Sequence, residues 1–313
     1  MEPAPLYTDV TVPLSDGAAY WLRATDGIRV RVGVWREGMR GTVLMFPGRT
    51  EYIEKYVHVA AAMRPHGLAT LIVDWRGQGL SDRLLPDRAT GHVGKFQDYQ
   101  QDVVAALAAA NRLGLPEPFF LIAHSMGACI GLRSLMRGLQ VKAAAFSGPM
   151  WGIRLNPVAR PSAIVIGRLA RAAGQAHRYA PTTGPTSYVT VASFEGNMLT
   201  TDREMFEMMK RQLAAHPDLA LGGPSLHWLT EAMAETRVLR ALPSPKVPCV
   251  TALGAAERVV NMDAVRDRMA RWPNGRLDLY EGAEHEIIVE RPEHLNRFFA
   301  GAVELFEAHR NDR

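Results

Sequence analysis

The feature that most restricts what this chain can fold into is a rhythm of short, wholly apolar runs separated by stretches with helical spacing. GTVLMF (Gly41 to Phe46), LATLIVDW (Leu68 to Trp75), FFLIAH (Phe119 to His124) and VKAAAFSG (Val141 to Gly148) are short, and each is bounded by turn residues or a change of pattern. Strands covered on both faces read this way. Between the runs lie a helical pattern from about Glu51 to His66, stopped by Gly67, and an alanine-rich one from Phe96 to Gly114. A third follows Ser125 to about Arg137. Strand and helix alternating at this pitch predict a parallel sheet wrapped by helices. Ahead of them, AAYWLRA and IRVRVGVWR (Ile28 to Arg36) alternate like half-buried strands joined by a Thr-Asp-Gly turn.

The rhythm breaks at about Met150. Residues 151–236 hold several helical pieces and no strong buried strand. Strand-like runs return at VPCVTAL (Val247 to Leu253) and RLDLYEG (Arg276 to Gly282), and a helix is expected from Pro292 to His309. A length of 313 residues would permit two domains. The return of the strands argues instead for one α/β core, residues 1–150 and 237–313, interrupted by a mainly helical insertion at 151–236.

In an open α/β sheet the functional groups gather at the carboxyl ends of the strands. Those ends read FPGRTE, AHSMG, GAAERVV and GAEHEI. They supply a glycine-bearing loop, then Ser125, Glu257 and His285 in the chain order Ser, acid, His. A serine hydroxyl is a poor nucleophile until an imidazole takes its proton. A carboxylate fixes the tautomer of that imidazole and stabilises its charged form. The developing oxyanion needs donors already in place, and the backbone N–H groups of Met126 and Arg49 are the expected pair. Gly48 lets their loop come close.

Each of these residues also has an ordinary reading. Ser125 could be a helix cap, His285 a satisfied semi-buried histidine, and Glu257 a cap for a helix starting near Asn261. Asp263, Glu284 and Glu286 are rival acids. Asp263 lies inside the next helix, and the two glutamates neighbour His285 on a chain that points them away from it. His124 is expected on the far face of its strand, away from the serine. The serine motif, with Ala123 where glycine is usual, is weak alone; three groups at strand ends in the right order carry the reading.

Composition excludes several other classes. Net charge is +4, but the 31 arginines and five lysines are scattered, without the blocks or interleaved aromatics of a nucleic-acid binder. There is no phosphate-binding G-x-x-x-x-G-K-[ST] and no paired-histidine metal spacing, so neither a metal nor any other cofactor is implied. Cys129 and Cys249 sit in apolar runs and read as buried thiols. No apolar run approaches a membrane span, and the first residues lack a leader pattern. The expectation is a cytoplasmic protein with, at most, peripheral contact with the inner membrane; oligomeric state is left open.

The residues carry a family likeness. PGRTEYIEKY (Pro47 to Tyr56), DWRGQGLSDRLL (Asp74 to Leu85), GHVGKFQDYQQD (Gly91 to Asp102), AHSMG, LTTDREMF (Leu199 to Phe206), GGPSLHWL (Gly222 to Leu229), AAERVVN (Ala255 to Asn261) and GAEHEI cover most of the chain. The chain resembles the serine α/β-hydrolases that include monoacylglycerol lipases, and within them the bacterial lysophospholipases of the PldB type. That likeness implies an α/β-hydrolase fold and a Ser125, Glu257, His285 triad, with Arg49 and Met126 at the oxyanion hole. The implied function is cleavage of a single-acyl lipid ester, preferably a lysophospholipid. The alternatives are a monoacylglycerol lipase or general carboxylesterase and, in a different class, a silent hydrolase-fold binding module. Pro47 and Glu257 stand where monoacylglycerol lipases have histidine and aspartate.

The likeness also implies that residues 151–236 form a lid over the acyl site. TDREMFEMMKRQL opens with a capping box, Thr201 to Glu204. Met198, Met205 and Met209 are tentative acyl contacts, since methionine adapts to flexible chains; packing of the insertion onto the core is the equal alternative. In SAIVIGRLARAAGQAHRYA (Ser162 to Ala180), Arg168, Arg171 and Arg178 share one side and Ile166, Leu169 and Ala173 another. A solvated basic face is the simpler reading and a helix on an anionic membrane the other. Gly167 and Gly174 weaken the helix itself.

Overall fold

The computed structural model describes residues 1–154 and 159–312; for residues 159–164 and residue 168 it describes the backbone alone. Nine strands form one sheet: β1 (Glu2–Ala4), β2 (Gly17–Arg23), β3 (Arg29–Trp35), β4 (Thr42–Phe46), β5 (Ala69–Asp74), β6 (Phe119–His124), β7 (Ala144–Ser147), β8 (Cys249–Gly254) and β9 (Gly275–Tyr280). Their order is β1-β2-β3-β5-β4-β6-β7-β8-β9. The first three are antiparallel, β3 meets β5 antiparallel, and every pairing beyond β5 is parallel. The α/β architecture expected from the rhythm of apolar runs is therefore borne out.

The helices are α1 (Val57–Met63), α2 (Tyr99–Arg112), α3 (Ser125–Met136), α4 (Ala159–Ala172), α5 (Tyr188–Val191), α6 (Arg203–Ala215), α7 (Leu226–Ala241), α8 (Met262–Ala270) and α9 (Pro292–His309). They cover both faces of the sheet, which is why the central strands β4, β5 and β6 are buried at every position and mostly apolar. On β4, Leu44 and Phe46 pack into the cluster that holds α2 and α3 residues. Val43 and Met45 pack into the opposite cluster, with α1 and α9. Each such side chain contributes about 1.5–3 kcal/mol relative to exposure.

Three local expectations are corrected. The helix expected over 51–66 is broken into a 3-10 turn at Ile53–Tyr56, then α1, then a 3-10 turn at Arg64–His66. The Ile53 N–H donates to the buried Asp74 carboxylate (2.8 Å), and Pro65 has no N–H to continue the ladder. The capping box does not form: Asp202 caps α6 by accepting from the Met205 N–H (2.9 Å), while the Thr201 hydroxyl donates to Glu290 (2.6 Å). The expected boundary at residue 236 falls inside α7, which runs on to Ala241.

The basic helix also differs from expectation. Gly167 does not break α4: a Cβ there would lie 2.2 Å from the Thr230 methyl, so its absence lets α4 close against α7. Gly174, at φ +67°, lies just beyond the helix in the left-handed conformation glycine tolerates. Val165, Ile166 and Leu169 face outward, and Leu169 is 65% exposed. Arg171 pairs with Glu231 on α7 (3.2 Å); the side chain of Arg168 lies outside the described residues.

Candidate active site

Ser125 begins α3 directly after β6, with φ +49°, a left-handed conformation that costs a β-carbon-bearing residue free energy. The bend needs small neighbours. A Cβ on Gly127 would lie 2.1 Å from the Phe46 carbonyl oxygen, whereas Ala123 is accommodated, fully buried, one strand residue before His124. β8 ends at Gly254, three residues before Glu257, and the loop after β9 carries His285. The parallel register of β6, β7, β8 and β9 brings these ends to one rim of the sheet.

There the three groups meet. His285 Nε2 lies 2.9 Å from Ser125 Oγ, and His285 Nδ1 lies 2.7 Å from Glu257 Oε2. All three residues are buried. Burial disfavours the imidazolium, but the Glu257 carboxylate, with Glu286 and Glu51 beyond it, outweighs that and raises the His285 pKa above its ordinary 6.5. Burial likewise pushes the Glu257 carboxyl up. His285 and the N–H groups of Val259 (2.5 Å) and Val260 (3.0 Å) more than offset it, so Glu257 stays ionised.

The rival acids are elsewhere. Asp263 is exposed on α8, and Asn261, not Glu257, caps that helix by accepting from the Ala264 N–H (2.9 Å). Glu284 pairs with Arg258, and Glu286 with Lys55 (2.6 Å).

Met126 is the second residue of α3, so its N–H lies in the turn where a helix has donors without internal partners. Arg49 lines the same cavity as Ser125. Among the described residues, neither backbone N–H donates to an acceptor. The loop carrying Arg49 is held from several sides. Gly48 N–H donates to Glu51, Gln78 Nε2 donates to the Gly48 carbonyl (2.7 Å), and the Trp75 indole donates to Pro47 O (2.8 Å).

His124 corrects an expectation. Its ring centroid is 4.9 Å from that of His285, beside the site and not behind it. The strand ends in the bend at Ser125, so simple alternation of faces no longer applies. Its Nδ1 is 2.9 Å from the Ser147 carbonyl, and burial drives its pKa down to about 3. A neutral ring makes the 3.7 Å approach to Glu51 a dipolar contact, not an ion pair.

Glu51, His124 and Glu286 place donor atoms within 4.8 Å of one another, a convergence that sequence spacing did not reveal. The Lys55 ammonium already bridges the two carboxylates, at 2.7 Å from Glu51 and 2.6 Å from Glu286. Tyr56 adds a hydroxyl bond to Glu51 (2.6 Å). Burial opposes the charge on Glu51, yet the Lys55 ammonium, with the Tyr56 hydroxyl, holds its pKa below the usual range; Glu286, facing the same burial, is pushed up. This donor set suits an ammonium better than a metal.

The cavity over Ser125 is ≈ 330 Å³, near the lower end of the usual 300–1,000 Å³ for ligand pockets. Much of its wall comes from residues 151–236, including Tyr188, Met198, Met209 and Trp228. Met205, one turn before Met209, does not line it. It packs against the cluster containing Ile287, Ile288 and Val289, because the start of α6 is anchored over that loop by Thr201.

That anchoring is extensive. Glu290 accepts from the N–H of Thr201 (3.0 Å) and of Glu284 (2.9 Å), Thr200 Oγ1 donates to Val289 O (2.8 Å), and Glu286 N–H donates to Leu199 O (2.8 Å). None of Gln78, Glu51, Lys55 or Glu290 was singled out from sequence. The one available signal was Glu51 four residues before Lys55.

Comparison with known proteins bears on this geometry. Residues 37–292 match the family model Hydrolase_4, described as serine aminopeptidase, S33. Lysophospholipase L2 of Escherichia coli is 32% identical over 282 residues, covering 85% of this chain and 80% of that protein. Probable lysophospholipase L2 of Haemophilus influenzae is 29% identical, covering 81% and 79%. Among solved structures, a soluble variant of monoglyceride lipase from Saccharomyces cerevisiae in complex with a substrate analogue superposes with a TM-score of 0.72 at 21% identity, covering 98% of this chain and all of that one. At that identity the match shows the α/β-hydrolase fold alone.

Proposed function

The chain belongs to the Hydrolase_4 (serine aminopeptidase, S33) family, and from that premise we propose that it is a serine carboxylester hydrolase that removes the acyl chain of a lysophospholipid. The observation that carries the reading is the continuous relay Ser125 Oγ, His285, Glu257 opening into a mostly apolar cavity, walled by aliphatic, methionine and aromatic side chains together with Arg49, Glu51, Lys55 and Glu286. In this reading His285 takes the Ser125 proton as Oγ attacks the ester carbonyl carbon. The N–H groups of Arg49 and Met126 receive the negative oxygen. The tetrahedral adduct then expels the glycerophospho-alcohol, protonated by His285, and leaves Ser125 acylated. Water, deprotonated by the same imidazole, attacks the acyl-enzyme, and the fatty acid leaves as the proton returns to Ser125.

A cavity near the lower end of the ligand range favours one acyl chain over two. Residues 151–236 form the cap of this reading, with Met198 and Met209 as acyl contacts. A monoacylglycerol presents the same ester and is the alternative substrate. A silent binding module has no use for a relay with both hydrogen bonds in place.

Fluorophosphonate labelling tests the nucleophile. Wild type is expected to label and Ser125→Ala to lose labelling, with esterase activity falling by at least about 10³-fold. Equal labelling of the two would sink the assignment. Rates on lysophosphatidylcholine, monoacylglycerol and a short p-nitrophenyl ester then rank the substrates.

Peripheral contact with an anionic membrane belongs to the same reading. Val165 (53% exposed), Leu169 (65%) and Val191 (68%) present apolar side chains to solvent on α4 and α5, and α5 also lends Tyr188 and Val189 to the cavity wall. Among the described residues no helix is long and apolar enough to cross a membrane. An apolar outer face with arginines nearby suits a helix lying at a lipid surface better than a merely solvated basic one.

A further inference from the structure

The guanidinium of Arg49, on a half-buried residue, contrasts with the buried arginines of this fold. Arg31 is neutralised by Glu54 and Asp74, Arg76 by Asp26 and Asp102, and Arg133 by Glu235. Arg268 has no acid but donates to the Leu239 and Leu242 carbonyls and to Ser244 Oγ. Among the described residues Arg49 has a single acceptor, the Gly222 carbonyl at 3.0 Å from Nη1, for the five N–H donors of a guanidinium. Among the described residues no carboxylate lies within ion-pair distance of it. Trp228, whose ring centre is 5.5 Å away, gives it an aromatic face but no counter-charge.

The group remains a cation. Burial lowers its pKa to about 10, still well above neutrality. A partly desolvated charge with one hydrogen bond is a standing cost, which an arriving anion would relieve. Gly91 keeps the space around it open: a Cβ there would lie 3.0 Å from Arg49 Nη1. Arg49 also lines the cavity shared with Ser125 and His285.

We propose that Arg49 reads the phosphate of the substrate headgroup and so sets the preference for lysophospholipid over the uncharged monoacylglycerol. The proposal rests on the esterase reading above and adds the headgroup to it. Reach supports it. In a lysophospholipid, as many bonds separate the ester carbonyl carbon from phosphorus as separate the Arg49 backbone nitrogen from its guanidinium carbon. With that nitrogen donating to the oxyanion, the side chain extends from the reacting centre by about the headgroup's own span. A guanidinium also matches phosphate oxygens two at a time. Glycerol offers only hydroxyls and gains nothing from the charge.

The rival role is mechanical: through Gly222 and Trp228 the side chain could simply brace the insertion against the core. A brace serves every substrate equally, so the measurement is a ratio. With the full chain in mixed micelles, kcat/KM is measured on 1-palmitoyl-lysophosphatidylcholine and on 1-palmitoylglycerol for wild type, Arg49→Met and Arg49→Lys. The lysophospholipid-to-monoacylglycerol ratio should fall about ten- to a hundredfold in Arg49→Met, as expected for losing a charge-assisted contact. It should recover in part in Arg49→Lys. A ratio within twofold of wild type, whether both rates drop or neither does, overturns the proposal.

If neither variant folds, inhibition of wild-type monoacylglycerol hydrolysis decides. Glycerophosphocholine should inhibit more strongly than glycerol, and less so in high salt; equal inhibition by the two overturns it. Absence of hydrolysis of both lipids by wild type would instead remove the esterase reading and this proposal with it.

Discussion

At the scale of single residues, the chemistry depends on charges placed against their own burial. His285 is fully enclosed, which by itself would make it a weaker base, and Glu257 reverses that. In the proposed mechanism the imidazole must be neutral to take the serine proton. kcat/KM should therefore fall on the acid side with a midpoint above 6.5, the ordinary histidine value. Replacing Glu257 by Gln removes the opposing carboxylate and leaves burial unbalanced, so the surviving activity should show its acid midpoint at lower pH. kcat should drop on the order of 10³–10⁴-fold. An unmoved midpoint would mean that Glu257 does not set the charge of His285. Ser125, Glu257 and His285 were legible because each stands at the end of an apolar run, where a polar residue has little structural excuse. Lys55 and Glu286 were not: their partnership spans 231 residues of sequence, and nothing in either neighbourhood announces the other.

At the scale of elements, the central strands and α9 follow closely from apolar runs and helix punctuation, because burial on both sheet faces leaves few polar positions to confuse the pattern; the short, exposed edge strand β1 gave no such signal. α6 shows where local signals fail. Its sequence satisfies a capping box, yet Thr201 is claimed by Glu290, 89 residues away, and the cap passes to Asp202. α3 and α7 meet through Arg133 and Glu235, a buried pair bonded at 2.5 and 2.8 Å. Glu235→Ala strands a buried guanidinium and should cost about 3–5 kcal/mol, read as a fall in the urea midpoint. The double replacement Arg133→Met with Glu235→Leu should recover most of that loss. If it is as unstable as the single variant, the pair contributes more than mutual neutralisation.

At the scale of the whole molecule, the insertion divides into two parts with different attachments. Residues 197–201 are bonded to the loops of His285 and Glu257 through Glu290, Thr200 and Arg258, so they belong to the rigid frame of the site. α4 instead turns apolar side chains outward. Leu169→Glu together with Val165→Glu should weaken sedimentation with phosphatidylglycerol vesicles at least about fivefold, while hydrolysis of a soluble p-nitrophenyl ester persists. Unchanged vesicle binding would place any membrane contact elsewhere. The outward apolar face was invisible in the sequence, because which side of an amphipathic helix faces the protein depends on what it packs against. Here the missing side chain of Gly167, not the apolar stripe, marks the inner side.

The closeness of Gly127 to the carbonyls of Phe46 and Pro47 has a consequence for how the site tolerates change. In the proposed mechanism one donor for the oxyanion rides on α3 and the other on the loop leaving β4, and a bare backbone contact separates the two segments. That contact works as a caliper. A substitution that pushes α3 sideways carries the end of β4 with it, and the gap between donors is kept while everything around them drifts. On that reading, loops elsewhere around the cavity can vary without retuning the jaw proposed to grip the reacting oxygen.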